Sequence, residues 1–255
     1  MCPILLQLDG LTIYAYGFFL TLGMVVAGIL AILRVRKKDL SIPFERIPDL
    51  FFYSVLSAIV GSRILFVLIN FDLYRESPLK MFKIWEGGLV FYGGFILAIG
   101  VAVGYMRWYR LPILKLFDLI SPLLALGLFF GRIGCFFAGC CYGKETSLPW
   151  AVIFTNPNSL APLNVPLHPT QLYDAANGLA VFLFLFWKEK RKAFDGQIFL
   201  LFLFLYSITR FFIEMLRGDP RGFVFKGLVS TSQGIGILLA ILSLFMLFFL
   251  ERKSC

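Results

Sequence analysis

Gly131-Arg132-Ile133-Gly134-Cys135-Phe136-Phe137-Ala138-Gly139-Cys140-Cys141-Tyr142-Gly143 ends an apolar run that begins near Leu116, and Arg132 stands inside it. A charge held in hydrocarbon costs at least about 2.5 kcal/mol, so an arginine there marks a site where something anionic meets it. Glycines 127, 131 and 134 leave one side of the segment bare, which lets a second helix or a ligand's head group approach the backbone. The stretch points to an anionic ligand bound inside a membrane.

Composition agrees. The chain has 255 residues, 59% of them hydrophobic and 15% charged, far from the roughly one-quarter charged of a soluble domain. Mean hydropathy is +0.84. The net charge of +9 comes from short basic clusters between apolar segments and not from one polar face, which reads as topology and excludes nucleic acid as a partner. Residues 1–10 carry no basic leader and no small-residue cleavage site follows the first apolar run, so the first helix is expected to be retained. The five cysteines, at 2, 135, 140, 141 and 255, do not form a disulfide framework.

Apolar runs of about 20 residues, the length that spans a bilayer, fall at roughly 14–33, 50–70, 88–108, 114–137, 171–187, 197–216 and 233–250. The expectation is an all-α polytopic membrane protein of about seven transmembrane helices, folded as one domain over 1–255. Pro122 and the glycines suggest a kink in the fourth helix. With the N-terminus outside and the C-terminus in the cytoplasm, inner loops hold fourteen Lys and Arg and outer loops seven, the bias that sets orientation. Trp85, Tyr105, Trp108 and Trp187 read as interfacial belt residues.

Three arginines, Arg63, Arg132 and Arg210, lie within expected spans, each in the second half of an outward-running helix. Arg63 and Arg210 each fall seven residues before a span's outer end, about 10 Å below the surface. Three cations at one level can converge on one pocket. Arg210 also has Glu214 one turn on, a spacing that supports an ion pair, with Arg217 a further turn away. Other polar groups open helices at that level: Tyr14 and Tyr16, the glycine-rich Trp85–Gly94 with Tyr92 between its doubled glycines, and His168-Pro169-Thr170-Gln171-Leu172-Tyr173-Asp174. The glycine pairs call for close backbone approach. His168, the only histidine, fits either a helix-entry residue or an acid–base group. The proline-rich segment 144–167 has the composition of an outer loop that covers a site. Cys135, Cys140 and Cys141 give C-x4-C-C, which matches no usual zinc or iron–sulfur spacing, and are read as small buried apolar residues. No metal or cofactor is expected.

At these residues the chain resembles the prolipoprotein diacylglyceryl transferases over nearly its whole length. The resemblance is carried by Tyr14-Ala15-Tyr16-Gly17, Gly61-Ser62-Arg63-Ile64, Trp85-Glu86-Gly87-Gly88-Leu89 with Gly93-Gly94, Gly131-Arg132-Ile133-Gly134, His168 to Tyr173, and Arg210-Phe211-Phe212-Ile213-Glu214 with Arg217. It implies seven spans in a bacterial inner membrane. It also implies transfer of a diacylglyceryl group from phosphatidylglycerol to the lipobox cysteine of a preprolipoprotein, with release of glycerol phosphate. On this resemblance Arg132 and Arg210 match residues for head-group binding and catalysis, Arg63 a supporting arginine and Tyr16 a site tyrosine. Gly134, Gln171, Glu214 and Arg217 fall with them as substrate-binding positions. The chain departs from the family's pattern at Tyr92, where the family has a histidine, at Cys135, where it has an asparagine, and at Cys140, where it has a glutamate. Those changes leave the thiol-activating group open among Tyr92, His168, solvent and the departing phosphate. They also keep two other readings in view: a related lipid-group transferase with a different acceptor, and an anion or lipid transporter.

Overall fold

The structure, a computed structural model, describes residues 2–8, 11–37, 43, 45–75, 78–83, 87–88, 90–219, 223–224 and 229–254. Trp85, Glu86 and Leu89 of the glycine-rich stretch, and Lys38, Arg221 and Lys226 of the charge count, lie outside the described residues.

Each expected apolar run is a helix: α1 (Ala15–Lys37), α2 (Arg46–Ile69), α3 (Phe91–Trp108), α4 (Ile113–Ala138), α5 (Thr170–Lys188), α6 (Gln197–Met215) and α7 (Thr231–Ser254). Among them α1, α2, α4, α6 and α7 are long and apolar enough to cross a membrane. Large apolar side chains such as Phe52, Leu68, Ile96, Phe212 and Phe245 stay exposed along the helices, a surface suited to lipid. The protein is thus a polytopic helical membrane protein. Among the described residues three antiparallel strand pairs occur: β1 (Ile4–Leu8) with β2 (Leu11–Tyr14) before α1, β3 (Val152–Ile153) with β4 (Pro166–Leu167) between α4 and α5, and β5 (Phe223–Val224) with β6 (Val229–Ser230) between α6 and α7. Strands of two to five residues are too short for alternation to reveal them in the sequence.

The chain divides into two compact units, Met1–Ala31 with Phe117–Cys255, and Ile32–Leu116. In the second unit α2 and α3 meet backbone to backbone. A Cβ built on Gly61 would lie 2.5 Å from the Gly93 carbonyl oxygen, and one on Gly94 2.5 Å from that of Ala58. The doubled glycines beside Tyr92 therefore have the packing reason that their poor helix propensity calls for. Tyr105 donates to Asp49 of α2 at 3.2 Å and its ring lies 4.6 Å from that of Tyr109 in a tilted pair, whereas Trp108 is exposed.

In the first unit α4 runs unbroken through Pro122. Near its start the buried Asp118 accepts hydrogen bonds from the backbone of Gly196 (2.8 Å) and Phe199 (3.1 Å) and from Lys192 Nζ (3.0 Å). A carboxylate at the first turn of α6 answers the unpaired N–H groups and the positive end of that helix. Burial alone would lower the Lys192 pKa, but hydrogen bonds to Asp195 and Asp118 raise it above the usual lysine value. Gly178, read in the sequence as an interruption, lets α5 cross α4 with a Cβ position 3.0 Å from Ala125 O and Phe129 N. At the start of α7, Ser230 Oγ accepts from Gln233 N (3.1 Å) while Gln233 Oε1 accepts from Ser230 N (3.0 Å), a reciprocal capping box.

Gly93→Ala is expected to lower the stability of the detergent-solubilised protein by about 2 kcal/mol, because two backbones must separate. At Gly127 a Cβ meets nothing within 4 Å, so Gly127→Ala is expected to gain about 0.5–1 kcal/mol from helix propensity. Thermal unfolding of the two variants checks the contrast, and equal shifts would contradict it.

Candidate functional site

Short backbone bridges draw the end of α4, the start of α5 and the end of α6 together. Gly143 N donates to His168 O (3.0 Å), His168 N to Lys144 O (2.9 Å), Lys144 N to Leu216 O (2.8 Å) and Gly218 N to Tyr142 O (3.1 Å). Segment 144–167 adds its own small core of Phe154, Ala161 and Leu167, and Leu160 N donates to Ala138 O (3.1 Å) at the last residue of α4.

Inside this junction three guanidiniums gather on one carboxylate oxygen. Asp174 Oδ2, on the first turns of α5, lies 2.7 Å from Arg210 Nη1, 3.3 Å from Arg132 Nε and 3.6 Å from Arg217 Nη1. Arg210 Nη2 also meets Glu214 Oε2 at 2.7 Å, the pair that the four-residue spacing suggested. Arg217 holds Asp219 through Nε (2.9 Å) and Nη2 (3.1 Å). Ser230 Oγ, while capping α7, donates to Glu214 Oε1 (3.1 Å), so the box at that helix start also fixes the acid.

All three arginines are largely buried, with side-chain exposures of 16% for Arg132, 12% for Arg210 and 1% for Arg217. Carboxylates in contact are what make such burial tolerable. Donors and acceptors nonetheless remain. Arg132 meets the described protein through Nε alone, which leaves both Nη groups unbonded. Gln171 Oε1, Asp174 Oδ1 and Arg217 Nη1 are buried without a hydrogen bond among the described residues. Buried polar atoms in that state need a ligand or water to satisfy them.

Gln171 Nε2 and Thr170 Oγ1 donate to the carbonyls of Cys140 (2.9 Å) and Cys141 (2.8 Å). Tyr16 backs the same region: a Cβ on Gly134 would lie 3.2 Å from Tyr16 Cα and O, so this glycine admits α1 to α4. His168 Nδ1 is 3.4 Å from Tyr173 Oη, which accepts from Trp150 Nε1 at 2.8 Å; the imidazole therefore closes a chain of aromatic polar groups. The sulfurs of Cys135, Cys140 and Cys141 lie within 4.8 Å of one another and could hold a metal ion. Hydrogen bonds with the Cys135 and Cys140 sulfurs, and then the charges of Arg217 and Arg132, push the Cys141 thiol down, while Cys140, bonded to both neighbours, is raised.

Arg63 and Tyr92 belong to the other compact unit. Arg63 is committed to backbone carbonyls, through Nε to Met81 (2.8 Å), Nη2 to Lys80 (2.8 Å) and Nη1 to Gly87 (2.6 Å) and Gly88 (3.2 Å). Tyr92 is half exposed near the start of α3. Sequence reasoning passed over Asp174 as a site residue, although an acid within an apolar span is as costly as the arginines and gave the same signal. Ser230 and Asp219 were missed too, the first despite its Ser-x-x-Gln spacing.

The sequence profile of the prolipoprotein diacylglyceryl transferases matches residues 3–249. The chain is 37% identical over 245 residues to the phosphatidylglycerol–prolipoprotein diacylglyceryl transferase of Clostridium tetani, with 96% of each chain covered. It is 39% identical to phosphatidylglycerol–prolipoprotein diacylglyceryl transferase 2 of Clostridium perfringens, over 92% of this chain and 90% of the relative. With the enzyme of that name from Vibrio atlanticus the identity is 32%, over 99% of this chain and 92% of the relative. The match spans nearly the whole chain, and the chain belongs to the prolipoprotein diacylglyceryl transferase family.

Proposed function

We propose that this protein transfers the diacylglyceryl group of phosphatidylglycerol to the lipobox cysteine thiol of a preprolipoprotein and releases glycerol phosphate. The observation that carries this reading is the gathering of Arg132, Arg210 and Arg217 on Asp174, with Arg132 meeting that acid through Nε and no partner for its Nη groups among the described residues. Two parallel N–H donors fit the two non-bridging oxygens of a phosphodiester. The acceptors Gln171 Oε1 and Asp174 Oδ1 suit the hydroxyls of the glycerol head group. The relatives' names, which specify this donor and this acceptor, support the same reading.

In the proposed reaction the thiol sulfur attacks the glyceryl carbon that bears the phosphate. A carbon–sulfur bond forms, the carbon–oxygen bond breaks, and its electron pair leaves on the phosphate. Arg132 and Arg210 stabilise that growing charge, where preorganised donors act most strongly. Arg217 and Glu214 hold Arg210 and Asp174 in register, Tyr16 and Gly134 wall the site, and Arg63 has a supporting role within its own unit, where it holds the carbonyls of Gly87 and Gly88. Tyr92 and His168 are the side chains proposed to take the thiol proton. The proposed topology has seven spans in a bacterial inner membrane, N-terminus outside and C-terminus in the cytoplasm, with the junction facing outward under segment 144–167.

Arg132→Ala and Arg210→Ala are each expected to lower lipidation of a lipobox peptide in vitro by about 100- to 1000-fold; full activity in both would remove the reading. Asp174→Asn leaves three guanidiniums without their shared charge, and a loss of about 3 kcal/mol in thermal stability is expected. An unchanged melting transition would contradict that. In the same lipidation assay, loss on Tyr92→Phe alone assigns the proton to the phenol, and loss on His168→Ala alone to the imidazole.

A further inference from the structure

The cysteine spacing C-x4-C-C gave no reason to expect three convergent thiols, yet the backbone brings them together. Helix α4 ends at Ala138, and Gly139 (φ +75°) and Cys141 (φ +63°) both take the left-handed conformation. Those two turns fold Cys140 and Cys141 back onto the last helical turns, where Cys135 stands, and all three Sγ atoms come within 4.8 Å of one another. Cys140 Sγ lies 3.8 Å from the Cys135 carbonyl oxygen.

A left-handed non-glycine residue costs on the order of 1–3 kcal/mol and persists only where its surroundings over-determine it. Here they do. Thr170 and Gln171, both fully buried, hold the carbonyls of Cys141 and Cys140 at 2.8 and 2.9 Å. At Gly139 a Cβ would lie 3.1 Å from Leu160 N and clash with Ser159 Oγ, so the turn is also packed from outside. The strain serves to aim two adjacent thiols at a third.

We propose that Cys135, Cys140 and Cys141 form a three-thiolate site for a thiophilic divalent cation of the zinc type, with its fourth position open. Thiolates select soft and borderline ions. A zinc ion about 2.3 Å from each sulfur holds the sulfurs about 3.8 Å apart in tetrahedral geometry, so the cluster needs to contract by no more than about 1 Å from the 4.8 Å limit. Binding releases the three thiol protons to solvent, and three thiolates with one divalent cation carry a single negative charge. Arg217, within electrostatic reach of Cys141, and Arg132, within that of Cys135 and Cys141, supply the compensating charge.

The test titrates Cd2+ into the chelator-treated, full-length protein in detergent and reducing buffer, following sulfur-to-cadmium charge-transfer absorbance. One Cd2+ per chain is expected, displaced by Zn2+. Cys135→Ser, Cys140→Ser and Cys141→Ser should each weaken binding by at least about 10-fold, while Cys2→Ser binds as the unaltered protein does. Absence of saturable absorbance in the unaltered protein would overturn the proposal whatever the variants do. Binding by folded Cys140→Ser and Cys141→Ser as tight as that of the unaltered protein would overturn it as well.

Discussion

One carboxylate oxygen, Asp174 Oδ2, holds the first compact unit's functional end in place. Arg132 from α4, Arg210 from α6 and Arg217 just beyond α6 all reach it from different segments, and none could be buried with the others without it. The acid in turn is 2% exposed, and a buried carboxylate calls for paired cations of this kind. This mutual requirement acts where the end of α4, the start of α5 and the end of α6 meet, and backbone bridges at Gly143, His168 and Leu216 tie those termini together. Glu214 and Asp219 take further donors of Arg210 and Arg217, while among the described residues Arg132 meets Asp174 through Nε.

Helix positions were legible because span length is imposed by the bilayer and every apolar run of that length became a helix. Gly93 and Gly94 beside Tyr92 were legible as close approach for the same kind of reason, a residue type that only packing justifies, whereas a Cβ at Gly87 meets nothing within 4 Å. The partners of Gly93 and Gly94 on α2, Gly61 and Ala58, were not legible, since contact across helices depends on rotation about each axis. Asp174 carries the same signal as the arginines, a charge within an apolar span. The thiol cluster was hidden, because two left-handed residues create it and C-x4-C-C does not announce them.

Arg63 shows what a depth argument can and cannot give. Counting residues from a span's end fixes the level of a side chain but not the direction in which it points. In the structure Arg63 binds four carbonyls from residues 80–88 and lies near the rings of Phe66 and Tyr74, so it orders the glycine-rich segment of its own unit. An arginine serving carbonyls and an arginine facing a carboxylate carry the same sequence signal. Only the partners distinguish them.

The central claim is that the guanidiniums gathered on Asp174 receive a lipid phosphate. Binding of phosphatidylglycerol to the protein in nanodiscs without acceptor peptide, compared between the unaltered chain, Arg132→Lys and Arg210→Lys, tests it most directly. Lysine keeps the charge and loses the planar fork, so affinity is expected to fall at least about tenfold in Arg132→Lys. Affinity unchanged in both variants would place the phosphate elsewhere and contradict the account.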